Sequence, residues 1–209
     1  AMFLGATNFL IHQKILTRKL KSIFVAEFIV FLLILALATL LFWKVWDIEF
    51  STALFHVVSA STTTGHSFID LSAFTDNMKL FMTTLMFIGG MSLSTAGGIK
   101  VWRAIFLFKT IPWAIRQFQT NKTEKMYLEG KKINEGDILV TLFIPIIFAG
   151  LIFVSVFVFL GKGLPMVDSL FEITSAISGT GMSVGIVNID AALELKWLLT
   201  FLMILGRIE

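Results

Sequence analysis

Cysteine is absent from the 209-residue sequence, and charged residues are scarce. Without cysteine the chain can form neither a disulfide nor a thiolate-bound metal site. Only 15% of the residues are charged, whereas 56% are hydrophobic, and an average soluble domain is about 25% charged. So little charge beside so much apolar surface excludes an ordinary soluble domain. The composition predicts a protein that lies in a lipid bilayer.

Three apolar runs are long enough to cross a bilayer as helices: residues 23–43, 80–99 and 138–160. At 1.5 Å per residue each extends about 30 Å, which is the thickness of the hydrocarbon core. Residues 1–11 and 197–206 are apolar but shorter, and we interpret them as parts of further transmembrane helices. A signal peptide is disfavoured at the start, because no basic region precedes the first run.

Basic residues are concentrated in two of the connections. Residues 12–22 carry four and residues 100–137 carry eight, whereas the opposite connections carry four in total. The positive-inside rule therefore predicts a multi-pass plasma-membrane protein with residues 12–22 and 100–137 in the cytoplasm. Acidic residues of the outer side would either concentrate cations or simply solvate the loops. They are Asp47, Glu49, Asp70, Asp76, Asp168, Glu172, Asp190 and Glu194.

The sequence contains an internal repeat at an offset of 116 residues. Residues 54–67 read LFHVVSASTTTGHS and residues 170–183 read LFEITSAISGTGMS, with seven of 14 positions identical. After one inserted residue the match resumes between residues 79–90 and 196–207. Each unit thus has a long apolar helix, a short segment that ends in Thr-Gly, and a second apolar helix. We predict an all-α membrane protein with two tandem helix–pore loop–helix repeats.

The short segments, residues 51–61 and 167–177, are compatible with helix and would extend about 16 Å, half a membrane. Each begins and ends on the outer side, because its flanking helices cross the membrane and the loop between the repeats is cytoplasmic. Each is therefore predicted to be a re-entrant half-helix followed by extended chain. Irregular backbone at that depth is tolerated only inside protein or along a water-filled path.

The residues after each half-helix suit a dehydrated monovalent cation. The partly negative C-terminal end of the helix favours a cation, and backbone carbonyls can replace its water. Glycine permits the backbone angles that such a carbonyl ring needs, and neither segment contains a carboxylate. The alternative is a small-residue site of helix packing. The candidate potassium-binding residues are Thr62, Thr63, Thr64, Gly65, Ser178, Gly179, Thr180 and Gly181.

Residues 89–98 contain four glycines, two serines, one threonine and one alanine. Since each glycine costs a helix interior about 1 kcal/mol relative to alanine, the second helix of the first repeat is predicted to break here. Arg207 aligns with Gly90, and an intramembrane arginine needs a partner such as the exposed carbonyls of that break. We predict a loop that blocks the pore until it moves; the alternative is a glycine-lined packing surface. The candidate gate residues are Gly89, Gly90, Ser92, Ser94, Thr95, Ala96, Gly97, Gly98, Lys100 and Arg207.

Three further polar residues lie within the predicted helices. His56 and Glu172 occupy the same place in the two repeats, and we predict helix packing or a buried hydrogen bond for each. Glu27 is expected to reach the cytoplasmic interface or to pair with a basic neighbour.

Several motifs resemble those of the Trk/Ktr/HKT superfamily of potassium transporters, in particular its TrkH- or KtrB-like membrane subunits. They are STTTG at 61–65, GGMSLSTAGGIK at 89–100, SGTG at 178–181 and LGRIE at 205–209. The resemblance covers essentially the whole chain, although Ser178 and Gly179 depart from the threonine-rich form of the filter. It implies four repeats around one pore, with residues 23–110 and 138–209 as the third and fourth.

The same resemblance implies that residues 1–12 end a preceding transmembrane helix and that residues 111–137 form a cytoplasmic connection. The chain would then be a C-terminal half whose first half is missing; the alternative is a two-repeat protein that dimerises into one pore. The resemblance also implies homodimers and cytoplasmic nucleotide-binding regulatory subunits of the TrkA or KtrA type. The basic residues 109–132 are a candidate surface for those subunits, or an ordinary cytoplasmic loop.

The resulting hypothesis is potassium uptake through a carbonyl-lined filter, with no cofactor other than the transported K⁺ ion. A sodium-permeable or sodium-coupled transporter of the same fold is the alternative. A membrane-embedded hydrolase is disfavoured, because His66 and Ser67 are adjacent and no nucleophile–base–acid set accompanies them. The sequence has no HExxH, GxGxxG or P-loop motif, so we do not expect an enzyme.

Overall fold

The protein is described from a computed structural model, which covers residues 1–17, 26–120, 127–128, 131–132 and 135–207. Positions between and after these ranges lie outside the described residues; they include the start of the predicted span 23–43, residues 18–22 of the predicted cytoplasmic connection, and Glu209. The helices are α1 (Met2–Ala6), α2 (Phe9–Leu16), α3 (Ala26–Trp46), α4 (Phe50–Ser61), α5 (Asp76–Ile88), α6 (Val101–Thr120), α7 (Glu135–Gly161), α8 (Met166–Ile177) and α9 (Leu193–Arg207). Strands β1 (Tyr127–Leu128) and β2 (Lys131–Lys132) pair antiparallel.

Two of the described helices are long and apolar enough to cross a membrane: α3, and α7 over Thr141–Gly161. They coincide with two of the three predicted spans. The third, residues 80–99, is not one helix, because α5 ends at Ile88 and α6 begins at Val101. We call the non-helical residues 89–100 between them the glycine loop.

The helices form two units of the same design, α3–α4–α5 and α7–α8–α9. Within each, the 12-residue middle helix packs against both longer neighbours. Twelve residues make about 18 Å of helix, little more than half of a bilayer core. Phe31, Phe42 and Val57 are buried in the first core, and Phe159 and Ile173 in the second. This burial places one face of each short helix in the interior of its unit.

The two units meet where α5 packs against α8. Lys79, in the first turns of α5, donates from Nζ to Asp168 Oδ1 of α8 at 2.7 Å. The two side chains are only 8% and 19% exposed. This contact holds α8 of the second unit against α5 of the first.

The structure differs from the predicted boundaries at the start of the chain and in the central connection. Residues 1–12 are not one helix: α1 stops at Ala6, and Asn8 caps a new helix by accepting from Leu10 N at 2.8 Å. In the connection, α6 runs past residue 110 to Thr120, and the fold is helical apart from the short β1–β2 pair.

Candidate functional site: the Thr-Gly segments and the glycine loop

The two Thr-Gly segments, residues 62–65 and 178–181, begin where α4 and α8 end. In the first, the backbone N–H groups of Thr62, Thr63 and Thr64 donate to carbonyls of the last turn of α4 at 2.9–3.1 Å. Ser178, Gly179 and Thr180 make the equivalent three bonds to α8 at 2.9–3.0 Å. The donors and acceptors of all six bonds correspond at the offset of 116. The repeat in the sequence is therefore also a repeat in backbone structure.

Left-handed backbone occurs at the same positions in both segments. Thr63 has φ +49° and its equivalent Gly179 has φ +65°, while Gly65 and Gly181 have φ +78° and +83°. The region is open to glycine but unusual for a β-branched residue. Successive residues of each segment therefore alternate in the sign of φ. The strain at Thr63 marks the first segment as one whose conformation the surroundings impose.

Side-chain hydrogen bonds close both segments. Thr62 Oγ1 lies 2.7 Å from Thr64 Oγ1, and Ser178 Oγ lies 2.7 Å from Thr180 Oγ1. Between the described residues, no hydrogen bond is accepted by a backbone carbonyl of either segment. The N–H groups of residues 62–64 and 178–180 are thus engaged at the helix ends, and the carbonyls are left for another positive group.

The two segments lie side by side. A methyl group at Gly65 would lie 1.9 Å from Thr180 O, so only glycine allows the segments to approach this closely. At Gly181, by contrast, a methyl group would meet nothing within 4 Å. The structure therefore brings together the two candidate binding segments that the sequence placed 116 residues apart.

The glycine loop is closed at its neck. The backbones of Gly89 and Gly98 are in contact, and both have positive φ, +72° and +79°. Beyond the neck, Ile99 N and Lys100 N donate at 2.9 Å to the carbonyls of residues 87 and 88, which helix α5 leaves without partners. Residues 89–98 thus leave the end of α5 and return beside it, where these bonds hold the start of α6.

The glycine loop touches both Thr-Gly segments through Gly97, which lies next to its neck. Gly97 N donates to Thr63 Oγ1 at 2.7 Å, and a methyl group at Gly97 would lie 1.9 Å from Ser178 O. The candidate gate residues and the candidate binding residues therefore form one site rather than two.

Glu27 holds the glycine loop from the first turn of α3. Its Oε1 accepts from Ser92 N at 2.6 Å and from Ser92 Oγ at 2.9 Å. The residue is 5% exposed, so the expectation that it reaches the interface is wrong. Its carboxylate satisfies a backbone N–H that the helix break leaves without a helical acceptor.

The N-terminal residues also bind the loop, a contact that the sequence did not predict. Met91 N donates to Ala6 O at 3.0 Å, Thr95 N to Gly5 O at 3.1 Å, and Phe9 N to Leu93 O at 3.0 Å. The turn between α1 and α2 frees these groups from helical pairing. Asn8, a good helix-starting residue inside an apolar run, was the available signal for that turn.

Two basic side chains lie at the loop's carbonyls. Arg207 Nη1 is 3.5 Å from Thr95 O, and Lys100 Nζ donates to Ala96 O. The remaining candidates stay within the loop: Ser94 Oγ donates to Met91 O at 2.5 Å, and a methyl group at Gly90 would collide with Ala96 Cβ at 2.5 Å.

The acidic residues assigned to the outer side do not form one exposed set. Asp168 is paired with Lys79 and Glu194 with Lys162, and Glu172 is 6% exposed inside the second unit. Asp70 remains at the surface, and hydrogen bonds from the Ser72 hydroxyl and N–H hold the pKa of its carboxyl below the ordinary value. Fewer of these carboxylates are exposed and unpaired than the sequence suggests.

Relatives that are named as cation or potassium transporters align with most of the chain. An uncharacterized cation transporter of Methanocaldococcus jannaschii is 26% identical over 207 residues, which is 98% of this chain and 43% of the relative. The Trk system potassium uptake protein TrkH of Salmonella typhimurium is 25% identical over 187 residues, covering 85% of this chain and 39% of that protein. The chain thus spans less than half the length of these relatives.

The fold matches the crystal structure of the potassium transporter TrkH from Vibrio parahaemolyticus with a TM-score of 0.83. The match covers 99% of this chain and 48% of that structure at 20% identity, which establishes the fold. The family model for TrkH, described as cation transport protein, matches residues 1–209. Its members are transporters rather than enzymes. The chain belongs to the TrkH family of cation transport proteins.

Proposed function

We propose that the chain takes part in potassium uptake across the plasma membrane, through a filter that its two Thr-Gly segments help to line. The observation that carries the proposal is their duplication: both present the same hydrogen bonds, the same signs of φ and unclaimed carbonyls. A packing site of small residues would not require equivalent backbone in both repeats.

The chemistry of the filter follows from those carbonyls. A dehydrated monovalent cation needs a ring of oxygens to replace its water. Helices α4 and α8 direct their partly negative C-terminal ends at the Thr-Gly segments, which favours a cation further. The ring would consist of carbonyls from Thr62, Thr63, Thr64 and Gly65 and from their equivalents at residues 178–181.

Potassium is the favoured ion because several relatives are named potassium uptake proteins. Sodium permeation or sodium coupling is the alternative within the same fold. Two segments cannot surround an ion with fourfold pseudo-symmetry, so the proposal includes two further repeats. The complete transporter is the full polypeptide whose pore segments close a ring around the ion.

The glycine loop is proposed as the gate. Gly97, next to the neck of the loop, lies against both Thr-Gly segments, where it would obstruct an ion leaving the filter. Arg207 and Lys100, at carbonyls of the loop, add positive charge that disfavours a cation there. Movement of residues 92–97 away from the filter would open the path.

The assembly proposed for the complete transporter is a homodimer with cytoplasmic nucleotide-binding regulatory subunits. The basic connection after α6 is the proposed contact for those subunits, which would act on the gate through α6. Helix α6 continues directly from the neck of the glycine loop, so a displacement of α6 would reach the loop within a few residues.

Reconstituted vesicles test the proposed transport. The complete transporter in potassium-loaded vesicles is expected to take up tracer rubidium or potassium, and external sodium at equal concentration is expected to compete at least about tenfold less well than potassium. Equal competition by the two ions would favour the sodium-permeable alternative. Absence of uptake by correctly folded protein would contradict the proposal.

The proposed orientation has a separate test. Because the sequence contains no cysteine, only an introduced cysteine can react with a thiol reagent. Single cysteines at Gln119 and Glu49 would be placed on exposed positions at opposite ends of the described helices. A membrane-impermeant thiol reagent added to intact cells is expected to label the cysteine at 49 and to leave that at 119 unmodified until the cells are opened. Labelling of position 119 from outside would reverse the topology.

A further inference from the structure

A second equivalence between the repeats lies outside the Thr-Gly segments themselves. His56 of α4 and Glu172 of α8 correspond at the offset of 116, and so do Ser67 and Ser183, which follow the filter. His56 Nε2 lies 3.2 Å from Ser67 Oγ, and Ser183 Oγ donates to Glu172 Oε1 at 2.5 Å. Two different side chains therefore reach the same partner at the same place.

Both interactions present an acceptor to the serine hydroxyl. A carboxylate has only acceptor oxygens. In His56, Nδ1 lies 2.8 Å from Thr52 O and must carry the proton there, because a carbonyl can only accept. In the neutral ring Nε2 is then an acceptor. Ser67 Oγ has a single hydrogen and also donates it to Ile69 O at 2.5 Å, so His56 Nε2, at 3.2 Å, shares that hydrogen rather than holding it alone. The substitution of histidine for glutamate between repeats keeps the acceptor while changing the charge.

The two serines have the same local backbone. Ile69 N donates to Ser67 Oγ at 3.3 Å, and Gly185 N donates to Ser183 Oγ at 2.9 Å. Each serine thus closes a turn in the chain that leaves the filter. In the second repeat, Glu172 also accepts from Val184 N at 3.0 Å and from Gly185 N at 3.2 Å.

Burial makes these contacts rigid. His56 is completely buried and Glu172 is 6% exposed. The rings of Phe55, Phe68 and Phe74 surround His56 with centroid distances of 5.4, 4.8 and 6.0 Å. A buried side chain with a defined hydrogen-bond partner fixes the distance between a short helix and the chain that returns from the filter.

We infer that His56 and Glu172 are positioning residues of the ion filter, each of which holds the outgoing end of its Thr-Gly segment through Ser67 or Ser183. This inference rests on the proposed function of those segments. Neither side chain touches the ion. Each fixes the strand that follows Gly65 or Gly181, and so the separation of the carbonyls across the pore, on which discrimination between potassium and sodium depends.

Four variants of the complete transporter test the inference: Ser67→Ala, Ser183→Ala, Glu172→Leu and Glu172→Gln. The two serine variants each remove a hydroxyl oxygen, and Glu172→Leu removes the carboxylate that accepts from Ser183. Each of these three variants is expected to lower the preference for potassium over sodium by about three- to tenfold and to raise KM for potassium. Glu172→Gln keeps an acceptor oxygen and is expected to retain most of the preference. Ser72→Ala, on the exposed outer connection, is the matched control with wild-type selectivity.

The readout separates positioning from simple stability. A purely structural role would lower the amount of folded protein and the maximal rate, while the potassium-to-sodium preference and KM of the remaining protein would stay at wild-type values. That pattern in all four variants would overturn the inference. If Gly65→Ala abolishes selectivity in the same assay while these variants keep it, the filter assignment survives and the inference on His56 and Glu172 alone fails.

Discussion

Replacing Arg207 with alanine is expected to raise the resting ion flux of the complete transporter by about tenfold. The guanidinium lies 3.5 Å from Thr95 O of the glycine loop, and a hydrogen bond from a charged group contributes about 1.5–3 kcal/mol. We use the lower end because Arg207 is exposed. Each 1.4 kcal/mol removed from the closed state changes the closed-to-open ratio about tenfold. Tracer flux from vesicles in the absence of any activator measures the change.

Deletion of residues 92–97 should have the larger effect, because it removes Gly97, which contacts both Thr-Gly segments. The neck survives, since Gly89, Gly98 and the bonds from residues 99–101 to α5 and Gly90 lie outside the deletion. Selectivity should persist in both variants. Lys44→Ala, near the end of α3 and exposed, is the control and should keep the resting flux of the wild type. Wild-type flux in both gate variants, with normal amounts of protein in the membrane, would refute the gate.

Replacing Gly65 with alanine is expected to abolish the preference for potassium. The added methyl group would lie 1.9 Å from Thr180 O, a backbone atom that cannot rotate away. The residue also has φ +78°, a conformation that costs a non-glycine residue about 1–2 kcal/mol. The collision displaces the carbonyl of Thr180, and the strain distorts the segment that contains Gly65 itself. Relative uptake of potassium and sodium by the purified variant measures the loss.

Gly181→Ala is the matched comparison. Gly181 has the same positive φ, +83°, but a methyl group there meets nothing within 4 Å among the described residues. It should therefore reduce selectivity less than Gly65→Ala, through backbone strain alone. Equal effects would mean that the close approach of Gly65 to Thr180 does not matter, and unchanged selectivity in both would remove these residues from the filter.

The repeat explains why so much of this fold was predictable. Two aligned copies identify the half-length helices without any structural information, and the observed α4 and α8 begin one residue before the predicted segments. The break after Ile88 followed from local composition, because four glycines in ten residues weaken a helix wherever it lies. Helix existence and local breaks depend on nearby residues, which a sequence displays directly.

Contacts between distant segments were the part that the sequence did not reveal. Glu27 binds Ser92 across 65 positions, and Gly5 binds Thr95 across 90. Neither pair belongs to the repeat. One partner in each pair is a backbone group, which every residue has, so no particular side chain indicates the contact. His56 and Glu172 show the intermediate case: their equivalence was visible, but their shared serine partner became apparent only when the returning chain was placed beside the helix.

The central claim is that carbonyls of residues 62–65 and 178–181 bind potassium, and ion density in the complete transporter tests it most directly. Crystals grown with rubidium or thallium in place of potassium would locate the ion by anomalous scattering. The account predicts peaks within direct coordination distance of the carbonyl oxygens of Thr62 to Gly65 and of Ser178 to Gly181, and loss of those peaks when sodium replaces the heavier ion. Peaks only elsewhere along the pore, with these carbonyls unoccupied, would contradict it.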